Sequence, residues 1–356
     1  MKRLWLFFPE NDIALAHGNS NFTAPAAAMT LRRAGSMLPV WMASDGDYVL
    51  CDGVNDAWLS DIQSRYGVRA DVWNHTDYDC APTPWGWSAA SRKVFENSGF
   101  PAEALPTDET LDRYRMLSHR RTAAALAAML HETMPHVKTG AVEADSIDVL
   151  KQVLCDGAPH VIKSPWSSSG RGVHFVTPDW VDQALRQAEG TIRRQGSVMV
   201  EPMVDDRLDF AMLYYMESCS ACYRGLSVFH TDVATGKYTG NIVASQDILA
   251  GAISHRVGRQ MLTMLDTAIR HALDSLLGGI YRGPVGVDLM ADTDGYIHVA
   301  EINLRYTMGF LSLSLERLVP TGEIYIYEII PGDRVPGGAI RLTPPSAVMQ
   351  FVLRPA

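Results

Sequence analysis

The chain has 356 residues, 47% of them hydrophobic and 20% charged, a composition that fits a folded protein of two or three lobes at about 100–200 residues each. Its 31 Lys plus Arg against 40 Asp plus Glu give a net charge of -9, which excludes a nucleic-acid or anionic-membrane footprint and means that any bound anion needs a local pocket of positive groups. Five cysteines do not make a disulfide framework, no apolar run reaches the roughly 18 residues of a membrane span, and the cytoplasm is the expected compartment.

Residues 1–110 read as an α/β domain. Lys2 and Arg3 precede an apolar run, but Pro9-Glu10-Asn11-Asp12 ends it early without a small-residue cleavage site, so residues 4–8 read as a buried parallel strand rather than a leader. Residues 25–35 read as a helix, with Pro25 near its start and Gly35 past its end. A second strand is expected over 38–42, a helix over 58–66 and a short strand over 70–73. This alternation predicts an open parallel sheet. Residues 80–88 carry Pro82, Pro84, Trp85 and Trp87 and read as a loop with aromatic anchors, packing between lobes or facing a substrate.

Residues 111–200 read as a second lobe. It has an Ala-rich helix over 117–129 opened by Ser118, a helical segment over 142–154, a strand over 159–163, a helix over 180–195 and a strand over 197–201. Residues 201–356 read as a third lobe. It has a hairpin of strands 210–216 and 223–229, a long helix over 256–277, and a hairpin of strands 285–290 and 296–302 turned by Asp292-Thr293-Asp294-Gly295. The tail beyond is rich in Pro and Gly.

Three segments carry chemistry. In the first, a strand ends at Lys163 and runs into Ser164-Pro165-Trp166-Ser167-Ser168-Ser169-Gly170-Arg171-Gly172. Small residues let backbone N–H groups face a phosphate, and Lys163 adds a point charge. This loop is neither a Walker A sequence nor a Rossmann fingerprint; the bland alternative is a surface loop after an edge strand. In the second, a strand ends in Glu201-Pro202-Met203-Val204. Pro202 has no N–H, so a strand exit here can leave backbone groups for an adenine edge, and Asp209 could accept from a ribose. In the third, Asp288 lies on one strand of the last hairpin and Glu301 and Asn303 on the other. Alternation puts Glu301 and Asn303 on one face, and antiparallel pairing brings Asp288 near them. Two carboxylates and an amide oxygen are hard ligands suited to Mg²⁺ that keeps phosphate oxygens, and Arg305 adds a cation.

In this order the three segments resemble the ATP-grasp superfamily over about residues 110–310. The resemblance implies an ATP-grasp fold: an N-terminal α/β domain followed by two α+β lobes that clamp the nucleotide. It implies that Lys163 and the loop Ser168, Ser169, Gly170, Arg171 and Gly172 hold phosphates, and that Glu201, Met203 and Val204 bind adenine with Asp209 at the ribose. Asp288, Glu301 and Asn303 would hold Mg²⁺ or Mn²⁺ on ATP. Lys237 stands where some members carry a lysine for the terminal phosphate. Where members usually have a lysine, this chain has Ser118-His119-Arg120-Arg121, so Arg120 stands in. The implied reaction joins a small-molecule carboxylate to an amine or thiol through an acyl phosphate, with Arg305 and Lys163 as catalytic cations, and a homodimer is the expected assembly. A phosphotransferase and a non-catalytic nucleotide-binding module are the alternatives. Cys219-Ser220-Ala221-Cys222 has no second pair to close a zinc site.

Overall fold

The computed structural model describes residues 1–356 except 52, 54, 76, 168–171, 233, 234 and 333. The chain divides into two compact units. One is Met1–Arg115 with Thr239–Ile248 and Arg305–Ala356; the other is Met116–Tyr238 with Leu249–Leu304. No described helix is long and apolar enough to cross a membrane.

The first unit opens with β1 (Lys2–Leu6), α1 (Asn11–His17), α2 (Ala26–Gly35), β2 (Tyr48–Val49), α3 (Asp56–Tyr66), β3 (Asp71–Val72), β4 (Cys80–Pro84), α4 (Ala89–Asn97) and α5 (Asp108–Leu117). The four strands form a parallel sheet in the order β3-β2-β1-β4. Leu4, Trp5, Leu6, Phe7 and Phe8 are all buried, as a strand covered on both faces requires. Two expectations are corrected here. Residues 38–42 hold a 3-10 helix, Leu38–Trp41, because Pro39 at its start cannot donate to a ladder; the strand comes later, as β2. Residues 80–84 form strand β4 despite two prolines. Pro82 and Pro84 pair opposite Leu4 and Leu6 on a sheet edge, where the missing N–H groups point away from β1 while the Trp85 N–H donates to the Leu6 carbonyl at 2.7 Å.

The second unit runs through α6 (Arg121–Thr133), β5 (Val137–Lys138), β6 (Val142–Ala144), α7 (Ile147–Leu154), β7 (His160–Lys163), β8 (Val173–Val176), α8 (Val181–Gln195), β9 (Val198–Pro202), β10 (Leu208–Glu217) and β11 (Ser220–Thr231). After β12 (Tyr238–Val243) come α9 (Gln246–Val257), α10 (Arg259–Leu277), β13 (Gly283–Ala291) and β14 (Ile297–Asn303). An antiparallel sheet in the order β6-β9-β7-β8 packs on α7 and α8 through Leu150, Leu154, Ile162, Val176, Ala184, Ala188 and Val200. A second sheet has the order β11-β10-β13-β14-β5. The helix expected over 117–129 instead begins at Arg121. Ser118 and His119 lie in the turn after α5, and the His119 ring accepts from the Arg121 N–H at 3.0 Å. The segment 142–154 is a short strand and then a helix capped by the Ser146 hydroxyl. The long helix over 256–277 is broken at Gly258, whose φ of +86 suits glycine.

The chain then returns to the first unit as α11 (Met308–Leu315), β15 (Tyr325–Pro331), β16 (Ile340–Arg341) and β17 (Met349–Pro355). There the strand order is β16-β17-β15-β12. The Pro- and Gly-rich tail is therefore ordered sheet, with Phe351, Val352 and Leu353 fully buried.

Candidate active site

The acidic set of the second unit is assembled by a β-bulge. Asp288 of β13 pairs with Glu301 of β14, and Gly286 with Asn303, but Leu289 pairs with Val299. Ala300 is the extra residue between them. In regular alternation Val299 and Glu301 would share a face. The bulge puts Val299 opposite Leu289 on one face and turns Glu301 to the Asp288 face. The Asn303 amide then donates to Asp288 Oδ2 at 2.8 Å. On β10, Asp209 pairs with Met290 and Ala211 with Asp288, so Asp209, Asp288 and Met290 lie on one side of the sheet.

Cations neutralise this side. Arg120, 7% exposed, reaches Glu301 Oε1 at 2.9 Å through one terminal nitrogen, and through the other donates to the Ser164 carbonyl at 2.9 Å and Ser167 Oγ at 3.0 Å. Among the described residues its buried Nε has no hydrogen-bond partner, which leaves a donor for an anion. Lys163 at the end of β7 is hydrogen-bonded to Glu201 at the end of β9 and approaches the bulged Ala300 carbonyl at 3.4 Å. Charges this shielded from water persist only with such partners.

The strand exits are tied down. The Ser164 N–H donates to the Gly172 carbonyl at 2.7 Å, closing the loop at its base. Gly172 has φ +75, and a Cβ there would lie 2.5 Å from Ser164 Oγ, so glycine is required. Ser168, Ser169, Gly170 and Arg171, assigned to phosphate binding, lie outside the described residues. The Met203 N–H donates to the Pro159 carbonyl at 3.1 Å, and the Val204 carbonyl accepts from Arg207 at 2.7 Å. The Arg207 Nε also reaches Asp209 Oδ1 at 3.0 Å, while Asp209 Oδ2 accepts from the Thr231 hydroxyl. Asp209 is thus engaged on both oxygens. The exposed Lys237 follows the turn in which Gly236 lies beside Phe175 of β8. A cavity of about 350 Å³ in this unit is lined by Ala124, Ala127 and Ala128 of α6, residues 138–141, Glu201, Pro202, Val204, Met290, His298 and Val299.

Arg305 belongs to the first unit. Its guanidinium grips Asp12, with Nε 2.9 Å and a terminal nitrogen 2.7 Å from Oδ2. Trp85, expected to pack between lobes or face a substrate, is buried against Phe7 and Tyr306 of its own unit.

Among the described residues, no group of three His, Cys, Asp or Glu side chains is placed to hold a metal. Asp288, Glu301 and Asn303 offer two carboxylates and an amide. That donor set fits Mg²⁺, which takes few protein ligands and fills its octahedron with water and phosphate oxygens. Sequence reasoning located these residues but missed the bulge at Ala300 and the contacts of Arg120. The acidic run after β1 was the one visible signal of Glu10 and Asn11, whose side chains are buried with unpaired atoms.

No family model matches the sequence, and no curated protein matches it. Solved structures do match. The biotin carboxylase–βγ-ATP complex from Campylobacter jejuni has 11% identity, a TM-score of 0.57, and coverage of 100% of this chain and 88% of that one. The Staphylococcus aureus N5-carboxyaminoimidazole synthetase with ADP has 12% identity, a TM-score of 0.54, and coverage of 100% and 94%. The biotin carboxylase domain dimer of Hydrogenobacter thermophilus 2-oxoglutarate carboxylase, with MgADP, ADP and bicarbonate, has 12% identity, a TM-score of 0.52, and coverage of 100% and 86%. The chain has the fold these proteins share, the ATP-grasp fold.

Proposed function

We propose that the chain is an ATP-dependent ligase that activates a small carboxylate as an acyl phosphate and couples it to an amine, releasing ADP and phosphate. The observation that carries this reading is the bulged hairpin, which puts Asp288, Glu301 and Asn303 on one face beside the buried Arg120 and Lys163. Phosphoryl transfer asks a protein for positioning and charge neutralisation more than for a nucleophile.

Asp288, Glu301 and Asn303 would hold Mg²⁺, which when bound neutralises charge on the β- and γ-phosphate oxygens. Arg120 would exchange Glu301 for a phosphate, using its unpaired Nε as well. Lys163, with the loop that Gly172 closes, would hold the phosphates. The cavity bounded by Val204 and Met290 has apolar walls suited to a flat purine. The Met203 N–H and the Val204 carbonyl already have partners, so base recognition through either one needs a change of partner. In the reaction, a carboxylate oxygen attacks the γ-phosphorus and ADP leaves. The amine nitrogen then attacks the acyl carbon, phosphate departs with that carboxylate oxygen, and the amine loses a proton. A homodimer is the assembly we expect.

The test is ADP release from Mg-ATP with pooled small carboxylates and amines, wild type against Glu301→Gln. Substrate-dependent ADP and phosphate, lost in the variant, support the ligase. ADP without free phosphate points to the phosphotransferase. Absence of ATP protection against heat in the wild type removes the nucleotide site altogether.

A further inference from the structure

Helix α6 is not capped by the residue at its boundary. Ser, Thr, Asp or Asn usually stands there, and its oxygen accepts a first-turn N–H. Here the position is held by Arg120, whose side chain makes no capping bond. The residue before it caps instead: His119 Nδ1 accepts from the Arg121 N–H at 3.0 Å, and the His119 carbonyl accepts from the Thr122 N–H at 2.9 Å. Two N–H groups that have no partner inside the helix are met in this way. The imidazole takes the place of a capping oxygen, and the Arg120 guanidinium reaches Glu301 and the loop after β7.

The His119 side chain is 1% exposed and is held on its other sides as well. Its Nε2 lies 3.2 Å from Arg121 Nη2, 3.5 Å from Ser197 Oγ and 3.6 Å from Glu143 Oε1. The Trp166 ring meets it edge to face, with centroids 4.7 Å apart and planes at 82°. Trp166 lies at the base of the loop, where its N–H donates to Gln195 Oε1 at the end of α8 at 3.1 Å. The residues on either side of it are held by Arg120. The Arg120 N–H donates to the Pro165 carbonyl at 3.2 Å, and the guanidinium reaches the Ser164 carbonyl and the Ser167 hydroxyl. One buried ring therefore braces both the backbone that carries Arg120 and the indole set among the partners of Arg120.

We infer that His119 is a positioning residue: by capping α6 through Nδ1 it holds Arg120 where the nucleotide phosphates bind. The inference rests on the nucleotide site of the ligase reading above. A cation fixed before the anion arrives stabilises it more than one that must be ordered on binding.

Two polar substitutions separate the ends of the ring. His119→Asn keeps an acceptor at the place of Nδ1; His119→Gln withdraws that acceptor and puts an amide at the place of Nε2. Each is made alone and together with Arg120→Met, and MgADP affinity is measured by calorimetric titration, with urea midpoints reporting on folding. His119→Asn is expected to bind within about twofold of wild type and His119→Gln about fivefold or more weakly. Neither is expected to weaken binding further once Arg120 is Met, because the lost interaction is already absent. A purely structural role would weaken both backgrounds alike. The inference is overturned if the folded Asn and Gln variants bind equally well, if His119→Gln weakens Arg120→Met as much as it weakens wild type, or if Arg120→Met itself binds like wild type. Absence of MgADP binding in the wild type would instead remove the nucleotide site, and the ligase reading with it.

Discussion

Arg120 and Glu301 form a 2.9 Å ion pair in which the arginine side chain is 6% exposed and the glutamate 26%. The pair joins the turn before α6 to the bulged strand β14, and it places a cation beside the proposed metal ligands. Exchange of Glu301 for phosphate would then link metal and nucleotide binding. Arg120→Met should weaken Mg-ATP binding by about 10- to 100-fold, in keeping with loss of one or two charge-assisted hydrogen bonds, and Arg120→Lys should recover part of it. Calorimetric titration decides; equal affinity in Arg120→Met would detach this residue from the nucleotide.

Gly172 combines a left-handed φ with direct packing on Ser164, so Gly172→Ala should lose roughly 1–3 kcal/mol of stability from backbone strain and displacement of Ser164. Urea unfolding of the two chains measures it. An unchanged midpoint would mean that the loop base reshapes at no cost.

In the first unit, Asp12 and Arg305 are largely buried, at 12% and 15% exposure. Arg305→Met leaves the Asp12 carboxylate without its cation and should cost about 3–5 kcal/mol, whereas adding Asp12→Asn should restore part of the loss. Additive losses in a double-mutant cycle would show that the pair is not coupled.

Burial lowers the His174 pKa below the ordinary histidine value. The folded chain therefore binds a proton there less readily than the unfolded chain. The resulting stability is present above the unfolded pKa of about 6.5 and is lost as pH falls from there through the folded pKa. Tm should fall over that window in the wild type and fall less in His174→Gln; parallel curves would assign the acid sensitivity elsewhere.

The hairpin that carries the proposed metal ligands was legible as a hairpin because Asp288, Glu301, Asn303 and the Asp-Gly turn lie close in sequence with apolar neighbours. The bulge was not: Ala300 carries no signal, and two-residue periodicity predicts the face of Glu301 without showing that Val299 is turned to the other. Strand β4 was hidden by Pro82 and Pro84, which read as breakers until the edge position explains them. The pairing of Asp12 with Arg305 joins residues far apart in the chain, and no local pattern encodes it. The sheet of β15 and β17 was lost among the prolines and glycines of its connections.

The most direct test of the ligase follows an oxygen atom. The protein is incubated with Mg-ATP, amines and a pool of carboxylates labelled with ¹⁸O in the carboxyl groups, and the released phosphate is analysed by mass. Activation as an acyl phosphate predicts phosphate carrying one ¹⁸O, formed together with ADP and absent with Glu301→Gln. ADP accompanied by unlabelled phosphate, or by no free phosphate, would contradict it.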